Sequence, residues 1–275
     1  MKKRVFLRRA GFLDRINIPR GIILYHLSEE RIDFKKIKGF VGENFALKLE
    51  VRQNFPFPLK TSIKNLALEF SRARVKDISN PLTKHQPLPL EIENEERYLK
   101  TGRVNKSLVY DGIKLLSLFE NLCAKKDQNY CQIVLTDRLP GTFSDDRRFH
   151  LRSIICGYPS LISIPGIVEA PARPREFYQI KNRLIGLGLW EQRIEEVKNK
   201  FKDRFIDYQD KRMTEVLKGL ISQVLFFYVT GEPFCKNRNC RLYNSHWQED
   251  LIYSQIVKGK FCPKHQATLR KLCAH

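Results

Sequence analysis

The sequence contains no apolar run long enough to cross a bilayer. A charge or a proline breaks each of its most apolar segments within about a dozen residues, whereas a transmembrane helix needs about twenty. No apolar stretch of the secretory type follows Met1. These absences predict a protein of the reducing cytoplasm without membrane insertion, where paired cysteines hold metal more often than they form disulfides.

Acidic residues are few relative to basic ones. The 275 residues include 50 Lys and Arg against 30 Asp and Glu, which gives a formal net charge of +20. Two clusters hold much of the excess, and they comprise Lys2, Lys3, Arg4, Arg8, Arg9, Lys258, Lys260, Lys264, Arg270 and Lys271. This excess favours a polyanionic partner, nucleic acid before an anionic membrane surface, although a solvated lysine-rich surface has the same composition. The sequence lacks the strand pattern of interleaved basic and aromatic residues that would indicate RNA binding.

Two pairs of soft metal ligands lie near the C-terminal end. Cys235 and Cys240 are separated by four residues and Cys262 and His265 by two, with twenty-one residues between the pairs. Each pair can hold one side of a tetrahedral zinc ion, and the chain between them can fold back to close the site. Four protein ligands leave no position for water, so the spacing predicts one structural zinc; a disulfide or buried thiols are the alternatives. The cysteines without such spacing are Cys123, Cys131, Cys156 and Cys273, and the first three are expected in the core.

The order of apolar patterns predicts an α/β fold with a mixed, twisted sheet as its core and flanking helices. Strands are expected over residues 21–25, 46–51, 131–135, 154–156 and 161–164, and helices over 32–45 and 107–124. Prolines and polar residues predict loops over 56–101, 142–150 and 165–174.

The pattern after Pro174 is helical, and its last helix has the clearest period. Apolar residues recur at steps of three and four from Met213 to Tyr228, the spacing of a helix that packs in a core. Gly231 and Pro233 follow this helix, as in a helix that ends on a glycine cap. A long core helix therefore leads the chain directly into the predicted metal site.

At this junction the sequence resembles the archaemetzincins, a family of zinc peptidases in the metzincin group. That family has a helix with the motif HExxHxxGxxH, whose histidines hold a catalytic zinc, followed at once by CxxxxCxM and then CxxC for a structural zinc. Gly231 falls on the glycine of the helix motif, and Cys235 and Cys240 fall on the first two cysteines. Cys262 and His265 stand in place of the terminal pair, after a longer spacer. The upstream order of elements also agrees, so the resemblance covers about residues 22–266 and implies a metzincin-like fold.

The catalytic residues of that family are missing at the matching positions. The three histidines fall on Val224, Tyr228 and Phe234. The general-base glutamate falls on Leu225, and Leu242 replaces the conserved methionine of the family. Val, Leu and Phe cannot donate a lone pair to zinc or take a proton from a bound water. The resemblance therefore implies a retained structural zinc beside a degenerate, inactive catalytic site.

Histidines that could replace the lost ligands are His26, His85, His150 and His246. His246 lies three residues before Glu249, so on a helix the two side chains would share a face and could bind metal or exchange a proton. We prefer the alternative that Asn244 or Ser245 caps this helix and that His246 is a surface residue or a neighbour of the structural zinc. A metal site would need a third ligand that the sequence does not supply.

These observations predict a basic extension over residues 1–20, an archaemetzincin-like α/β unit over 21–230 and a Cys3His zinc knuckle over 231–275 that packs on it. Three functions stay open. The first is a noncatalytic relative whose cleft binds an acidic protein or peptide. The second is an RNA- or ribosome-associated zinc protein that binds through its basic surface. The third is an active but divergent zinc metallopeptidase.

Overall fold

The computed structural model describes residues 18–53, 62–81, 83, 85–144 and 147–273, so all but the last three residues of the predicted basic extension lie outside it. The strands are β1 (Ile22–Leu27), β2 (Leu49–Arg52), β3 (Val109–Asp111), β4 (Cys131–Thr136), β5 (Leu139–Phe143), β6 (Phe149–Leu151), β7 (Ile154–Ile155) and β8 (Ser160–Ser163). The helices are α1 (Phe34–Phe45), α2 (Ile63–Arg72), α3 (Pro89–Thr101), α4 (Gly112–Leu122), α5 (Ile164–Glu169), α6 (Arg175–Gly186), α7 (Trp190–Phe201), α8 (Met213–Thr230), α9 (Gln248–Ile252) and α10 (Pro263–Cys273).

A mixed five-stranded sheet forms the centre of the α/β fold, as the sequence predicts. Its order is β2-β1-β4-β8-β7. The first four strands are parallel, and β7 pairs antiparallel with β8 at the edge. A second sheet has the order β3-β5-β6. None of the helices in the described ranges is long and apolar enough to cross a membrane.

Successive side chains of β1 pack on opposite faces of the central sheet. Ile22 and Leu24 belong to a hydrophobic cluster that also contains buried residues of α1, α8 and α10. Ile23 and Tyr25 belong to a second cluster, with buried residues of α2 and α4. Since successive side chains of a strand point to opposite faces, the sheet separates two apolar layers.

The long helix α8 ends where the sequence predicts. Its buried side chains extend from Met213 to Phe226. Gly231 follows with φ of 77° and donates its N–H to the carbonyl of Phe227. A positive φ is easily adopted only by glycine, so this residue turns the chain out of the helix.

The stretch 56–101 is not the loop that its prolines and polar residues predict, because it contains α2 and α3. Ser62 caps α2 by accepting a hydrogen bond from the backbone N–H of Asn65. Pro89 occupies the start of α3, where a helix does not need the missing N–H. Proline therefore marks the beginning of a helix here rather than its absence.

Other element boundaries also differ from the sequence prediction. The N-terminal part of the predicted helix at 107–124 is β3, and Asp111 then caps α4. Only the ends of the loop predicted over 142–150 differ, since Thr142 and Phe143 of β5 pair with His150 and Phe149 of β6. The loop predicted over 165–174 begins with α5, which Ser163 caps by accepting from the N–H of Gly166. Each of these differences from the prediction concerns a short element, whose structure depends on a capping residue or on a strand partner.

A buried ion cluster joins α3 to the strands. The fully buried carboxylate of Glu95 accepts hydrogen bonds from Arg74 Nε at 2.9 Å, Tyr110 Oη at 2.6 Å and an Arg138 terminal nitrogen at 2.7 Å. Burial alone would raise the pKa of Glu95, but these donors outweigh it and lower the pKa below its usual value. The carboxylate thus stays ionised and holds two guanidinium groups inside the protein.

Glu95→Ala is expected to lower the free energy of unfolding by about 3–5 kcal/mol, because it leaves two buried cations without their counterion. Urea unfolding curves measure the loss. The matched control is Glu96→Ala on the same helix, which removes only a surface pair with Lys100 and should change the curve little. Equal losses in both variants would show that the cluster does not stabilise the fold.

Candidate metal centre and adjoining cleft

The structure brings together the four ligands that the spacing predicts. One ligand atom from each of Cys235, Cys240, Cys262 and His265 lies within 4.8 Å of the others. The imidazole Nδ1 of His265 is 3.1 Å from the sulfur of Cys262 and 3.5 Å from that of Cys240. Three thiols and one imidazole are zinc ligands in structural sites, and four of them fill a tetrahedral shell. The group therefore fits one zinc ion.

The first two ligands lie on a tight turn that follows α8. Cys235 donates its backbone N–H to the carbonyl of Leu242 at 2.8 Å, and Cys240 donates to the carbonyl of Asn237 at 3.0 Å. The backbone N–H of Asn237 points back to the sulfur of Cys235 at 3.3 Å, and that of Cys262 points to the sulfur of Cys240 at 3.5 Å. Donors aimed at sulfur favour the thiolate form that a metal requires.

The last two ligands flank the start of α10. Cys262 directly precedes Pro263, the first residue of this helix, and His265 lies in its first turn. Burial raises the pKa of the Cys240 thiol to about 12. Burial also acts against the thiolate of Cys262, but the backbone N–H of His265 and neighbouring donors outweigh it and lower the pKa. A bound metal ion would favour the thiolate of Cys240, because it takes the place of the proton.

Aromatic packing attaches the metal centre to the core. The ring of His265 meets the ring of Phe226 edge-on, with centroids 5.1 Å apart. Phe226 also contacts Phe261, which precedes Cys262, at 5.9 Å, and Phe45 at the end of α1 at 6.2 Å. The metal ligands thus belong to the same apolar layer as α8.

The positions that match the catalytic motif lie at the end of α8. Val224 and Leu225 are each 1 % exposed and pack within the apolar layer of the central sheet. Tyr228 is half-buried, with its ring 5.6 Å from that of Tyr158. Phe234 is 40 % exposed. None of these four side chains supplies a metal ligand of the usual kind, and the two most buried ones are hydrocarbon.

A cleft adjoins this end of α8. Its volume is about 310 Å³. It is lined by the end of α8, the edge strand β7 and the metal-binding segment, which is the chain over residues 231–273. The lining residues include Arg152, Ile154, Ile155, Phe227, Phe234 and His246. Sequence reasoning missed the contribution of 152–155, because only the folding of β7 onto the sheet edge brings these residues beside α8.

The predicted pair of His246 and Glu249 does not share a helical face. Helix α9 begins at Gln248 with Trp247 as its N-cap, so His246 precedes the helix. The carboxylate of Glu249 instead accepts a hydrogen bond from Arg204 Nε at 2.7 Å. The prediction that Asn244 or Ser245 caps this helix is also wrong, because the N-cap residue is Trp247. His246 is an exposed residue that lines the cleft.

The other candidate histidines lie on other parts of the chain: His26 on β1, His85 between α2 and α3, and His150 on β6. His26 Nδ1 is 3.2 Å from the Gln53 side chain, and His85 Nε2 is 3.0 Å from the carboxylate of Glu91. His150 pairs with Thr142 across the β5–β6 ladder. Within the described ranges, the Cys3His quartet is the one cluster of at least three side chains with metal-binding geometry.

Comparison with known proteins identifies the family. Residues 19–272 match the "Probable metallopeptidase family (DUF6775)". This match spans most of the chain, and the protein belongs to that family. No curated protein matches the sequence. Among solved structures, the chain is similar to a zinc-dependent peptidase from Methanocorpusculum labreanum (strain Z), with 12 % identity and a TM-score of 0.39, over 90 % of this chain and 100 % of that one.

Cys235→Ala is expected to reduce the zinc content from about one ion per chain to near none and to loosen the segment after Gly231, because the binding free energy of a closed metal site contributes to folding. Elemental analysis measures the zinc, and limited proteolysis measures the loosening. Cys273→Ala, which changes an exposed cysteine outside the quartet, should keep the metal. Retention of one zinc by the Cys235 variant would refute the ligand assignment.

Proposed function

We propose that this member of a probable metallopeptidase family is an archaemetzincin-like protein that binds peptides without cleaving them. Burial of Val224 and Leu225 carries the proposal. These residues stand where the resemblance expects a zinc ligand and the general base. Hydrolysis of a peptide by zinc needs an open metal position and a group that takes a proton from water, and hydrocarbon side chains offer neither.

Helix packing supports the loss of the catalytic zinc. The side chains at 224 and 225 contribute to an apolar layer shared with α1 and the central sheet. A polar ligand and a carboxylate there would each need a partner in the core, since burying an unpaired polar group is unfavourable. The present residues remove that need, so the end of α8 serves packing instead of metal binding.

The cleft supplies a surface for an extended peptide. Strand β7 is the last strand of the central sheet and pairs on one side with β8. An edge strand can add a further strand through its backbone groups, while pockets for alternate side chains give specificity. Ile154, Phe227 and Phe234 offer apolar contacts along the cleft. The net charge of +20 favours a peptide with acidic residues.

A fluorescein-labelled heptapeptide of alternating valine and glutamate is expected to bind the protein and to stay intact. Phe234→Ala should weaken binding about tenfold, because it removes an exposed aromatic contact from the cleft. Tyr178→Ala, which removes an aromatic ring of similar exposure on α6, should not change the affinity. Fluorescence anisotropy measures the binding, and mass spectrometry of the same samples detects cleavage.

Several outcomes would contradict the proposal. Cleavage of the heptapeptide that a chelator abolishes, or two tightly bound zinc ions per chain, would indicate an active metallopeptidase. In that case alanine variants at His246 and Glu249 would test whether either side chain takes part. Absence of saturable binding, or equal loss in the Phe234 and Tyr178 variants, would rule out the cleft as the peptide site.

Nucleic-acid binding is a second candidate function, and the surface of the metal-binding segment favours it. Five exposed cations of this segment have no carboxylate partner within the described residues, and they are Lys236, Lys258, Lys260, Arg270 and Lys271. Unpaired cations on one small unit can neutralise several phosphates of a single strand. This function would use the zinc only to hold the surface together.

The double substitution Lys258→Ala with Lys260→Ala should reduce the salt dependence of binding to a single-stranded RNA 20-mer. The expected change in the slope of log affinity against log salt is about 1.4, since each phosphate contact contributes about 0.7 on single strands. Filter binding at several salt concentrations measures it. The control is Lys200→Ala with Lys202→Ala at the end of α7, which should not alter the slope. Binding that does not respond to salt would exclude this function.

A further inference from the structure

Helices α6 and α7 are joined by a short turn that exposes two large apolar side chains. Ile185 is 52 % exposed and Leu187 is 61 % exposed. All residues from 185 to 188 are exposed, and we call them the α6–α7 turn. A Cβ added at Gly186 or Gly188 would contact no other part of the structure within 4 Å. The described part of the chain therefore leaves this turn uncovered.

A small apolar cluster holds α6 and α7 together, and the turn lies outside it. Phe177 and Phe201 are buried in this cluster, with their ring centroids 5.9 Å apart. Leu184 and Trp190, which bracket the turn, pack against the cluster. A helix rises about 1.5 Å per residue, so Ile185 lies about 12 Å along α6 from Phe177. The exposed apolar side chains of the turn are thus held at the end of a packed unit.

Positive charge surrounds the apolar turn. No charged residue lies between 184 and 190, and the nearest ones on either side are Lys181, Arg183, Glu191 and Arg193. Three of these four are cations. Lys181 and Arg183 form no ion pair with a described carboxylate, since the ion pairs of the two helices use other cations. Exposed hydrocarbon beside unpaired cations is complementary to an anionic lipid surface, which offers acyl chains under negative headgroups.

The small size of the apolar surface favours a lipid bilayer over a protein as its partner. A stable protein interface uses roughly 20–30 residues a side, far more than the turn offers. A bilayer needs only a few apolar side chains and nearby cations, because the hydrocarbon takes up each side chain separately. Tryptophan is enriched at the boundary between headgroups and hydrocarbon. Trp190 lies at the corresponding place, beside the turn and 5.5 Å from the ammonium of Lys181.

We propose that the α6–α7 turn docks on an anionic lipid surface, with Ile185 and Leu187 in the outer hydrocarbon and with Lys181 and Arg183 at the headgroups. Contact of this depth requires no spanning segment, so the long apolar runs that the sequence lacks do not bear on it. The turn shares no residue with the zinc quartet or with the lining of the cleft beside β7. The proposal is therefore independent of the peptide-binding function.

Sedimentation with vesicles of equal parts phosphatidylglycerol and phosphatidylcholine measures the docking of the zinc-loaded full chain. Ile185→Ser with Leu187→Ser should weaken binding at least about tenfold, because two aliphatic side chains no longer enter hydrocarbon. The matched control is Leu88→Ser with Leu90→Ser, which removes side chains that are 59 % and 65 % exposed and precede Glu91. This control should bind as the wild type does. All four side chains are exposed, so neither variant should shift the unfolding midpoint.

A tryptophan probe separates insertion of the turn from adsorption through the positive charge of the whole chain. On anionic vesicles with brominated acyl chains, Leu187→Trp should lose more emission than the wild type, because bromine quenches a ring that enters the hydrocarbon. Leu90→Trp should show no such additional loss. Equal binding by the two serine variants, or equal quenching in the two tryptophan variants, would show adsorption by charge alone and overturn the proposal. Absence of binding to these vesicles would overturn it too and would favour a protein partner for the turn.

Discussion

Burial of α8 is the interaction on which the fold and the metal centre both depend. Its buried side chains pack in the apolar layer that covers one face of the sheet. The metal-binding segment occupies another side of the same helix, where Gln223 donates to the carbonyl of Tyr243 at 3.2 Å. A Cβ at Gly219 would overlap the side-chain amide of Gln255, which would have to move. A helix enclosed in this way can keep hydrocarbon residues at its end without loss of stability.

In the function that we propose, the same enclosure lets a structural zinc persist without a catalytic one. The quartet lies beyond the helix, on turns held by backbone hydrogen bonds, and its ligands need only each other and the ion. In that proposal, an archaemetzincin-like catalytic zinc would need polar groups at 224, 225, 228 and 234, the first two of them within the packed layer. The structural site contributes to folding, whereas polar residues at the end of α8 contribute to chemistry and cost stability. In the function that we propose, the structural zinc is retained and the polar catalytic residues are lost.

Much of the fold could be predicted from periodicity, but the elements that depend on partners could not. Strand β1 and helix α8 have runs of apolar residues long enough to show their period, and the structure confirms both. Helix α3 begins at a proline and is rich in charged residues, and α2 lies between prolines at 58 and 81, so the whole stretch has the composition of a loop. The buried Glu95 holds α3 in place through ion pairs with Arg74 and Arg138. No local pattern reveals such a pairing, because its members are far apart in the chain.

Spacing along the chain was enough to identify the candidate zinc ligands, since a tetrahedral site of two short pairs needs only correct spacing and soft donors. The sequence also determined the end of α8, because a glycine takes the positive φ that other residues avoid. Three features follow from the three-dimensional fold instead. His246 lies ahead of its helix, β7 forms one wall of a cleft, and Arg74 and Arg138 meet at the buried carboxylate of Glu95. These features arise where separate segments meet. They depend on distances in space, which the spacing of residues along the chain does not record.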